Sequence, residues 1–266
     1  MTLPGDVLRA LWVLRGEPHG ALVEPTEAAR RYRPGRARGI APLADVYLPR
    51  DPIGASVVLV HGGGFAIGSR RMKPMRYLAA RLVEAGIAAC AIDYRMIFRG
   101  GRIDEAIDDV CDAFAFWQVR APDPGAVSLV GLSAGATLAM LAAGRTAPHR
   151  LACCFGLYEF DQLGGALARA LPRLLFATAD RATWRARSPR HLPQPAMPTL
   201  LLHGDADRLV AVDQARRLAA HREALGLSTR LVIYPDAPHG FFSMPGAAAE
   251  SGARELVEHV AQRTQA

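Results

Sequence analysis

The chain has 266 residues, of which 50% are hydrophobic and 21% charged, so it can bury the core of one large globular domain. Lysine and arginine outnumber aspartate and glutamate by 32 to 25, but the arginines are scattered without interleaved aromatics, which argues against a nucleic-acid partner. No apolar run reaches the roughly 20 residues of a membrane span and no signal-peptide pattern is evident, so we expect a cytoplasmic protein with no membrane partner.

Short apolar runs alternate with amphipathic segments along the chain, which is typical of β-α units around a mostly parallel sheet. Two early strands are predicted in "ARRYRPG" and "LADVYLP". Further strands are predicted at 57–61, 88–95, 126–131, 152–158, 199–204 and 229–235. Helices are predicted at 74–85, 104–119, in "SAGATLAMLAA", and near 213–225 and 247–263. The predicted fold class is α/β, with a mostly parallel central sheet and helices on both faces.

The sequence contains no repeat or linker, so we expect a single domain over residues 1–266. Residues 1–40 are expected to form an N-terminal extension. An irregular stretch rich in Arg and Pro precedes the strand at 199–204, and we assign residues 157–198 to a small lid or pocket segment. The arginines at 169–190 favour a solvated helical face, with an anion-recruiting rim as the alternative.

The motif "HGGGFAIG" at 61–68 directly follows the apolar run at 57–60, which belongs to the predicted strand at 57–61. Glycine allows tight turns and close approach of a ligand to the backbone. A tight turn alone would explain the cluster. The alternative is that the N–H groups of Gly63 and Gly64 face a negative charge.

The motif "GLSAG" at 131–135 lies between a predicted strand and a predicted helix. It fits G-x-S-x-G, in which a sharp turn raises a serine above the sheet, so Ser133 is the candidate nucleophile. The N–H of Ala134, at the positive end of the following helix, is a candidate donor to the oxyanion that forms when Ser133 attacks a carbonyl. Gly63 and Gly64 are the other candidate donors.

A serine nucleophile needs a base and an orienting acid, each expected just past a later strand. "HGDADRLV" places Asp205 and Asp207 after one strand, and "PDAPHGFF" places His239 after the next. His239 is the predicted base. We favour Asp207 as the acid, with Asp205 as the alternative, because a carboxylate in the turn beside Gly204 more readily bonds local backbone N–H groups.

Aromatic residues flank these motifs and occur in the 157–198 segment. We assign Phe65, Tyr158 and Phe241 to substrate binding, in a small apolar pocket. The alternative is that these side chains only pack the core.

The motifs "HGGGF", "DYR", "GLSAG", "HGDADRLV" and "PHGFF" occur in this order within residues 45–242. Together they resemble the α/β-hydrolase fold and, within it, the hormone-sensitive-lipase-like and feruloyl-esterase-like bacterial carboxylesterases. The resemblance implies a catalytic triad of Ser133, Asp207 and His239. It also implies an oxyanion hole formed by Gly63, Gly64 and Ala134.

We therefore expect a serine hydrolase that cleaves short-chain carboxylic esters through an acyl-enzyme, with a small acyl ester as its partner and no cofactor or metal. An amidase, an arylformamidase or a thioesterase would use the same triad and stays an alternative. A ligand-binding protein on a hydrolase scaffold is a further alternative, because fold does not fix function. A homodimer is left open.

Overall fold

The computed structural model describes residues 17–20, 22–34, 40–99, 101–164 and 167–262. Within them, eight strands form one sheet. The strands are β1 Glu27–Arg31, β2 Leu43–Tyr47, β3 Ser56–Val60, β4 Ala88–Ile92, β5 Val127–Leu132, β6 Leu151–Cys154, β7 Thr199–Gly204 and β8 Thr229–Tyr234. The helices are α1 Lys73–Glu84, α2 Ile103–Gln118, α3 Ala134–Thr146, α4 Leu167–Phe176, α5 Arg181–Ala186, α6 Asp213–Ala224 and α7 Ala247–Ala261.

The strand order across the sheet is β1-β2-β4-β3-β5-β6-β7-β8. Pairing is antiparallel for β1–β2 and β2–β4, and it is parallel from β4 through β8. The predicted mostly parallel sheet is therefore confirmed. Parallel strands all end at one edge of the sheet, so the loops after β3, β5, β7 and β8 leave from the same edge.

The sheet is buried on both faces, which explains why its inner strands are continuous apolar runs. Val58 and Val60 of β3 belong to a core that includes residues of α2, α3 and α6. Val57 and Leu59, which alternate with them, belong to a second core with residues of α1 and α7. Helices on both faces are thus confirmed, and the two cores are separated by the sheet itself.

Two predicted strands are too long. The strand predicted at 152–158 ends at Cys154, because Phe155 has a positive φ of 43° that ends the extended run. The strand predicted at 88–95 ends at Ile92, because the next residue, Asp93, turns toward Arg70 and accepts its backbone N–H at 2.7 Å.

The structure describes only part of the predicted N-terminal extension and part of the predicted lid segment. In the N-terminal extension predicted at 1–40, residues 1–16, 21 and 35–39 lie outside the described residues. The described remainder includes β1, which begins before the predicted "ARRYRPG" strand and ends at Arg31. The 157–198 segment contains the helices α4 and α5. Within the described residues, no helix combines the length and apolar character needed to cross a bilayer.

Candidate active site

Ser133 lies at the sharp turn between β5 and α3. Its backbone has a φ of 52° and a ψ of −118°, a combination that residues other than glycine rarely adopt. The turn is possible because two glycines allow backbones to pack closely. A Cβ on Gly131 would lie 2.2 Å from the Gly135 carbonyl oxygen, and one on Gly135 would lie 2.2 Å from the Val60 carbonyl oxygen. Any other residue at either position would displace the turn that presents Ser133.

The structure brings Ser133, His239 and Asp207 into one line of hydrogen bonds. Nε2 of His239 lies 2.9 Å from Oγ of Ser133, and Nδ1 of His239 lies 2.6 Å from Oδ2 of Asp207. His239 follows β8 and Asp207 follows β7, so neighbouring parallel strands deliver both side chains to one place. In this arrangement the imidazole can accept the Ser133 proton on one side while the carboxylate orients it from the other.

The carboxylate of Asp207 is buried and held by several donors. The backbone N–H groups of Leu209 and Val210 donate to Oδ1 at 2.9 and 2.8 Å. Burial raises the pKa of Asp207, but the neighbouring His239 and His203 together hold the pKa well below its usual value. Asp207 is therefore ionised, as an orienting acid must be.

A second histidine, His203, also contacts Asp207, and it is not among the residues predicted from the sequence. Its Nε2 lies 3.2 Å from Oδ2 of Asp207 and 2.9 Å from the Val210 carbonyl oxygen. Both of these atoms are acceptors, so Nε2 must bear a hydrogen. The signal in the sequence was the position of His203 inside "HGDAD", four residues before Asp207.

Asp205, the alternative acid, lies elsewhere. Its Oδ1 accepts the backbone N–H of Asp236 at 2.7 Å, so it joins the loop after β7 to the loop after β8. The structure therefore places Asp207, and not Asp205, against His239.

Residues 61–70, in the loop after β3, are called the glycine loop here. Gly63 and Gly64 have φ values of 117° and 61°, and Phe65 continues in the left-handed region at 63°. The N–H groups of Ala66 and Ile67 both bond to the Gly63 carbonyl. Among the loop, turn and cap hydrogen bonds between backbone groups of the described residues, none is donated by Gly63, Gly64 or Ala134. Ala134 is the first residue of α3, so its N–H has no acceptor within the helix. These N–H groups remain available to an acceptor.

Gly62 is a further residue of the site that was not predicted from the sequence. A Cβ there would lie 3.0 Å from the Leu132 carbonyl oxygen and 3.2 Å from Cβ of Ser133. The glycine loop therefore runs directly beside the candidate nucleophile. The third glycine of the motif was the available signal, since only two had been given a role.

The predicted substrate-binding aromatics are all buried. Phe65 belongs to the core, and its ring centroid lies 6.5 Å from that of Phe160. Phe241 lies in an aromatic cluster with Phe155, whose ring in turn makes an edge contact with His239 at 5.1 Å. Tyr158 has no exposed surface. Its burial is more complete than that of Phe65 and Phe241, which are each 3% exposed, and this favours a packing role for Tyr158.

Four arginines of the 169–190 stretch pair with acidic residues or carbonyls of the protein, namely Arg181, Arg185, Arg187 and Arg190. Arg190 lies 2.7 Å from the buried carboxylate of Glu159, and Arg187 pairs with Asp104. Arg181 donates to the Asp161 carbonyl. These pairs attach the segment to its surroundings.

No group of three or more His, Cys, Asp or Glu that could hold a metal ion occurs among the described residues.

Comparison with known proteins agrees with this architecture. Residues 44–162 match the BD-FAE family. Over 88% of this chain and 91% of the other, the structure is similar to a thermophilic esterase from Thermogutta terrifontis, with a TM-score of 0.70 and 23% identity. That esterase has also been solved with propionate bound and with butyrate bound.

Two sequence relatives extend beyond this chain. A non-reducing polyketide synthase, adrD of Penicillium roqueforti, is 25% identical over 84% of this chain, which spans only 13% of that protein. A Mycobacterium tuberculosis protein named "Probable carboxylic ester hydrolase LipM" is 28% identical over 80% of this chain, which spans 56% of it. The chain thus corresponds to one part of these longer proteins. The chain has the α/β-hydrolase fold, and over residues 44–162 it is similar to the BD-FAE family.

Proposed function

We propose that this protein hydrolyses short-chain carboxylic esters with Ser133 as nucleophile, His239 as general base and Asp207 as the orienting acid. The observation that carries the proposal is the continuous hydrogen-bonded line from Oγ of Ser133 through His239 to Asp207, at 2.9 and 2.6 Å. Side chains so arranged have the reach that proton transfer requires.

The proposed reaction has two halves. Oγ of Ser133 attacks the acyl carbon while its proton passes to Nε2 of His239, and a tetrahedral oxyanion forms. When the oxyanion collapses, the bond to the alcohol breaks and the alcohol leaves with the proton from His239. Water then attacks the acyl-enzyme, giving its proton to His239. The acid departs and Ser133 takes back its proton.

The oxyanion is proposed to bind the N–H groups of Gly63, Gly64 and Ala134. Their lack of backbone acceptors and the closeness of Gly62 to Ser133 support this assignment. Donors fixed in advance contribute about 2.7–4 kcal/mol each, because they need no reorganisation when charge develops.

A short acyl chain is the proposed substrate class. Phe65, Phe160 and Phe176 form a chain of neighbouring rings beside the glycine loop, with centroids 6.5 and 5.0 Å apart. We propose that Phe65 and Phe241 line the acyl site, with residues 157–198 as its cover within one hydrolase unit. The propionate and butyrate bound to the Thermogutta terrifontis esterase are in keeping with such a site.

The test is a series of p-nitrophenyl esters from acetate to palmitate, assayed with the wild type and Ser133→Ala. We expect a maximum between acetyl and hexanoyl, since each buried CH₂ contributes about 0.8 kcal/mol only until the site is full. Ser133→Ala should lose the activity. A maximum at long chains would contradict the short site.

The same panel should include a thioester, an aryl formamide and a simple amide. A Ser133-dependent rate on one of these that exceeds every ester rate would move the proposal to that substrate class. An absence of Ser133-dependent turnover on all of them would favour a ligand-binding protein.

A further inference from the structure

The glycine loop has a backbone that needs external support. Gly63, Gly64, Phe65 and Gly68 all have positive φ values, the last at 124°. A Cβ on Gly68 would lie 2.5 Å from Nδ1 of His61, so the two ends of the turn are in contact. Such conformations persist only where the surrounding structure fixes them.

Arg70, at the end of the glycine loop, is fastened to the sheet by two buried carboxylates. Its backbone N–H donates to Oδ1 of Asp93 at 2.7 Å, and its guanidinium bonds to Oδ2 of the same carboxylate. Its Nε lies 2.8 Å from Oδ1 of Asp45. Asp45 lies within β2 and Asp93 directly follows β4, so both partners are fixed by the sheet.

Asp45 is itself fully buried and shared. Its Oδ1 accepts the Ala29 N–H at 2.7 Å, and its Oδ2 lies 2.8 Å from Nε of Arg71. Burial raises the pKa of Asp45, but the hydrogen bonds from these donors and from Arg70 lower it by more, so the net pKa lies below the usual value and the carboxyl stays ionised. A buried carboxylate without its cation would be costly, so the pairing with Arg70 is strongly favoured.

The segment that follows β4 holds the rest of the glycine loop. The hydroxyl of Tyr94 donates to the His61 carbonyl at 3.0 Å, and the two rings stack at 4.3 Å. The N–H of Ile97 donates to the Phe65 carbonyl at 2.9 Å. The beginning, middle and end of the glycine loop are therefore all bonded to residues 93–97.

We propose that Arg70, through its pairs with Asp45 and Asp93, is a positioning residue that sets the Gly63 and Gly64 N–H groups at the oxyanion. This inference rests on the proposed function of the site. Because the donors act on charge that develops only in the transition state, displacing them lowers kcat more than it weakens substrate binding.

The test compares Arg70→Met and Arg70→Lys with Arg71→Met. Arg71 is a matched control because it also lies 2.8 Å from Asp45, but its side chain is 56% exposed whereas that of Arg70 is 10% exposed. For p-nitrophenyl butyrate, Arg70→Met should lower kcat about 100-fold with KM within about threefold. Arg70→Lys should lower kcat about 10-fold, because one ammonium cannot span both carboxylates as a guanidinium does. Arg71→Met should change kcat less than about twofold.

A second readout separates positioning from general loosening of the fold. An alkylboronic acid becomes tetrahedral when Ser133 adds to boron, so it resembles the transition state, whereas butanamide resembles the ground state. In Arg70→Met, the Ki of the boronic acid should rise by the same factor as kcat falls, and that of butanamide should stay constant. Equal rises in both inhibition constants, or an unchanged kcat, would overturn the inference.

If Arg70→Met does not fold, Asp93→Asn replaces it, since this change keeps the shape of the side chain and removes its charge. We expect a loss of about 10-fold in kcat with the same contrast between the two inhibitors. An unchanged kcat would again overturn the inference. Activity that survives in Ser133→Ala would refute the proposed function instead, so the two failures are distinguishable.

Discussion

The two sides of Ser133 are built on different principles. On one side, His239 and Asp207 are proposed to act through their side chains, each placed by a loop that follows a parallel strand. On the other side, the glycine loop offers backbone N–H groups, and its conformation is held by ion pairs with Asp45 and Asp93. The contribution of the first side depends on the identity of its side chains. The contribution of the second side depends on the position in which its backbone is held.

This difference determines what a mutation can do. Removing a side chain from the His239 side deletes a chemical group outright. Residues of the glycine loop can be changed without deleting any N–H group, so damage there comes from displacement. The expected losses are therefore largest on the His239 side and graded on the glycine-loop side.

The largest effect is expected for His239→Ala, which removes the proposed base. We expect kcat for a short-chain ester to fall about 10⁴-fold or more, because Ser133 then has no proton acceptor. The matched control is His149→Ala, since His149 contacts the Gln262 carbonyl and precedes β6 at the other edge of the sheet. Steady-state kinetics check both variants, and a loss below tenfold in His239→Ala would contradict the assignment.

Asp207→Asn comes next, with a predicted loss of about 10³- to 10⁴-fold in kcat, because an amide no longer fixes the productive imidazole tautomer. Asp205→Asn is its control. The side-chain amide oxygen introduced by this change could still accept the Asp236 N–H that Asp205 accepts now, so activity should stay within about tenfold of wild type. The reverse ranking of these two variants would show that the acid is wrongly assigned.

Gly63→Ala tests the glycine-loop side directly. A Cβ at this position would lie 2.0 Å from the Ile67 carbonyl oxygen, at a φ of 117°, so the backbone must move. We expect kcat to fall about 10²-fold with KM nearly unchanged. Gly144→Ala in α3 is the control, because a Cβ there meets nothing within 4 Å and should leave kcat as it is. A large rise in KM with normal kcat would contradict transition-state binding by this loop.

His203→Phe should have a smaller effect on the His239 side. Phenylalanine fills the space but removes the donor near Asp207 and the Val210 carbonyl, so we expect kcat to fall roughly tenfold. His259→Phe is a matched control, since His259 is also buried and contacts a backbone carbonyl, that of Leu151, away from Ser133. Equal kinetic losses in both variants would indicate a general packing effect.

The smallest predicted effect concerns stability and pH. The pKa of Asp207 is lower in the folded protein than its usual value, so its charge stabilises the fold above about pH 4 and this contribution declines as pH falls. Asp207→Asn should therefore lower the free energy of unfolding by about 1–3 kcal/mol near pH 7. Urea unfolding should show the difference shrinking toward about pH 3. A difference that grows on acidification would contradict the ionised carboxylate.

Much of the fold was predictable because buried parallel strands are short apolar runs, and β7 matches its predicted range of 199–204. The ends of other strands were not predictable. Nothing about the residue type of Phe155 indicates a positive φ, since phenylalanine seldom adopts one. The strand predicted at 152–158 was extended through it for that reason.

The candidate site was predictable where a residue type and a strand end together specify a chemical group. Ser133, Asp207 and His239 all meet that description, and the structure brings them together. Arg70 does not meet it. In an arginine-rich sequence its pairing with Asp45 and Asp93 depends on contacts between segments 23 or more residues apart, and no local pattern reports these.

The hairpin of β1 and β2 has a consequence for anyone who trims this chain. The Ala29 N–H bonds to the carboxylate of Asp45, and the hydroxyl of Tyr32 bonds to the Asp93 carbonyl at 2.7 Å. A minimal catalytic fragment chosen to start at β2 would keep every motif residue yet lose both of these hydrogen bonds, one to the Asp45 carboxylate and one to the Asp93 backbone. Such a fragment would lose catalytic power through its missing first strand, which supplies no chemical group to the reaction.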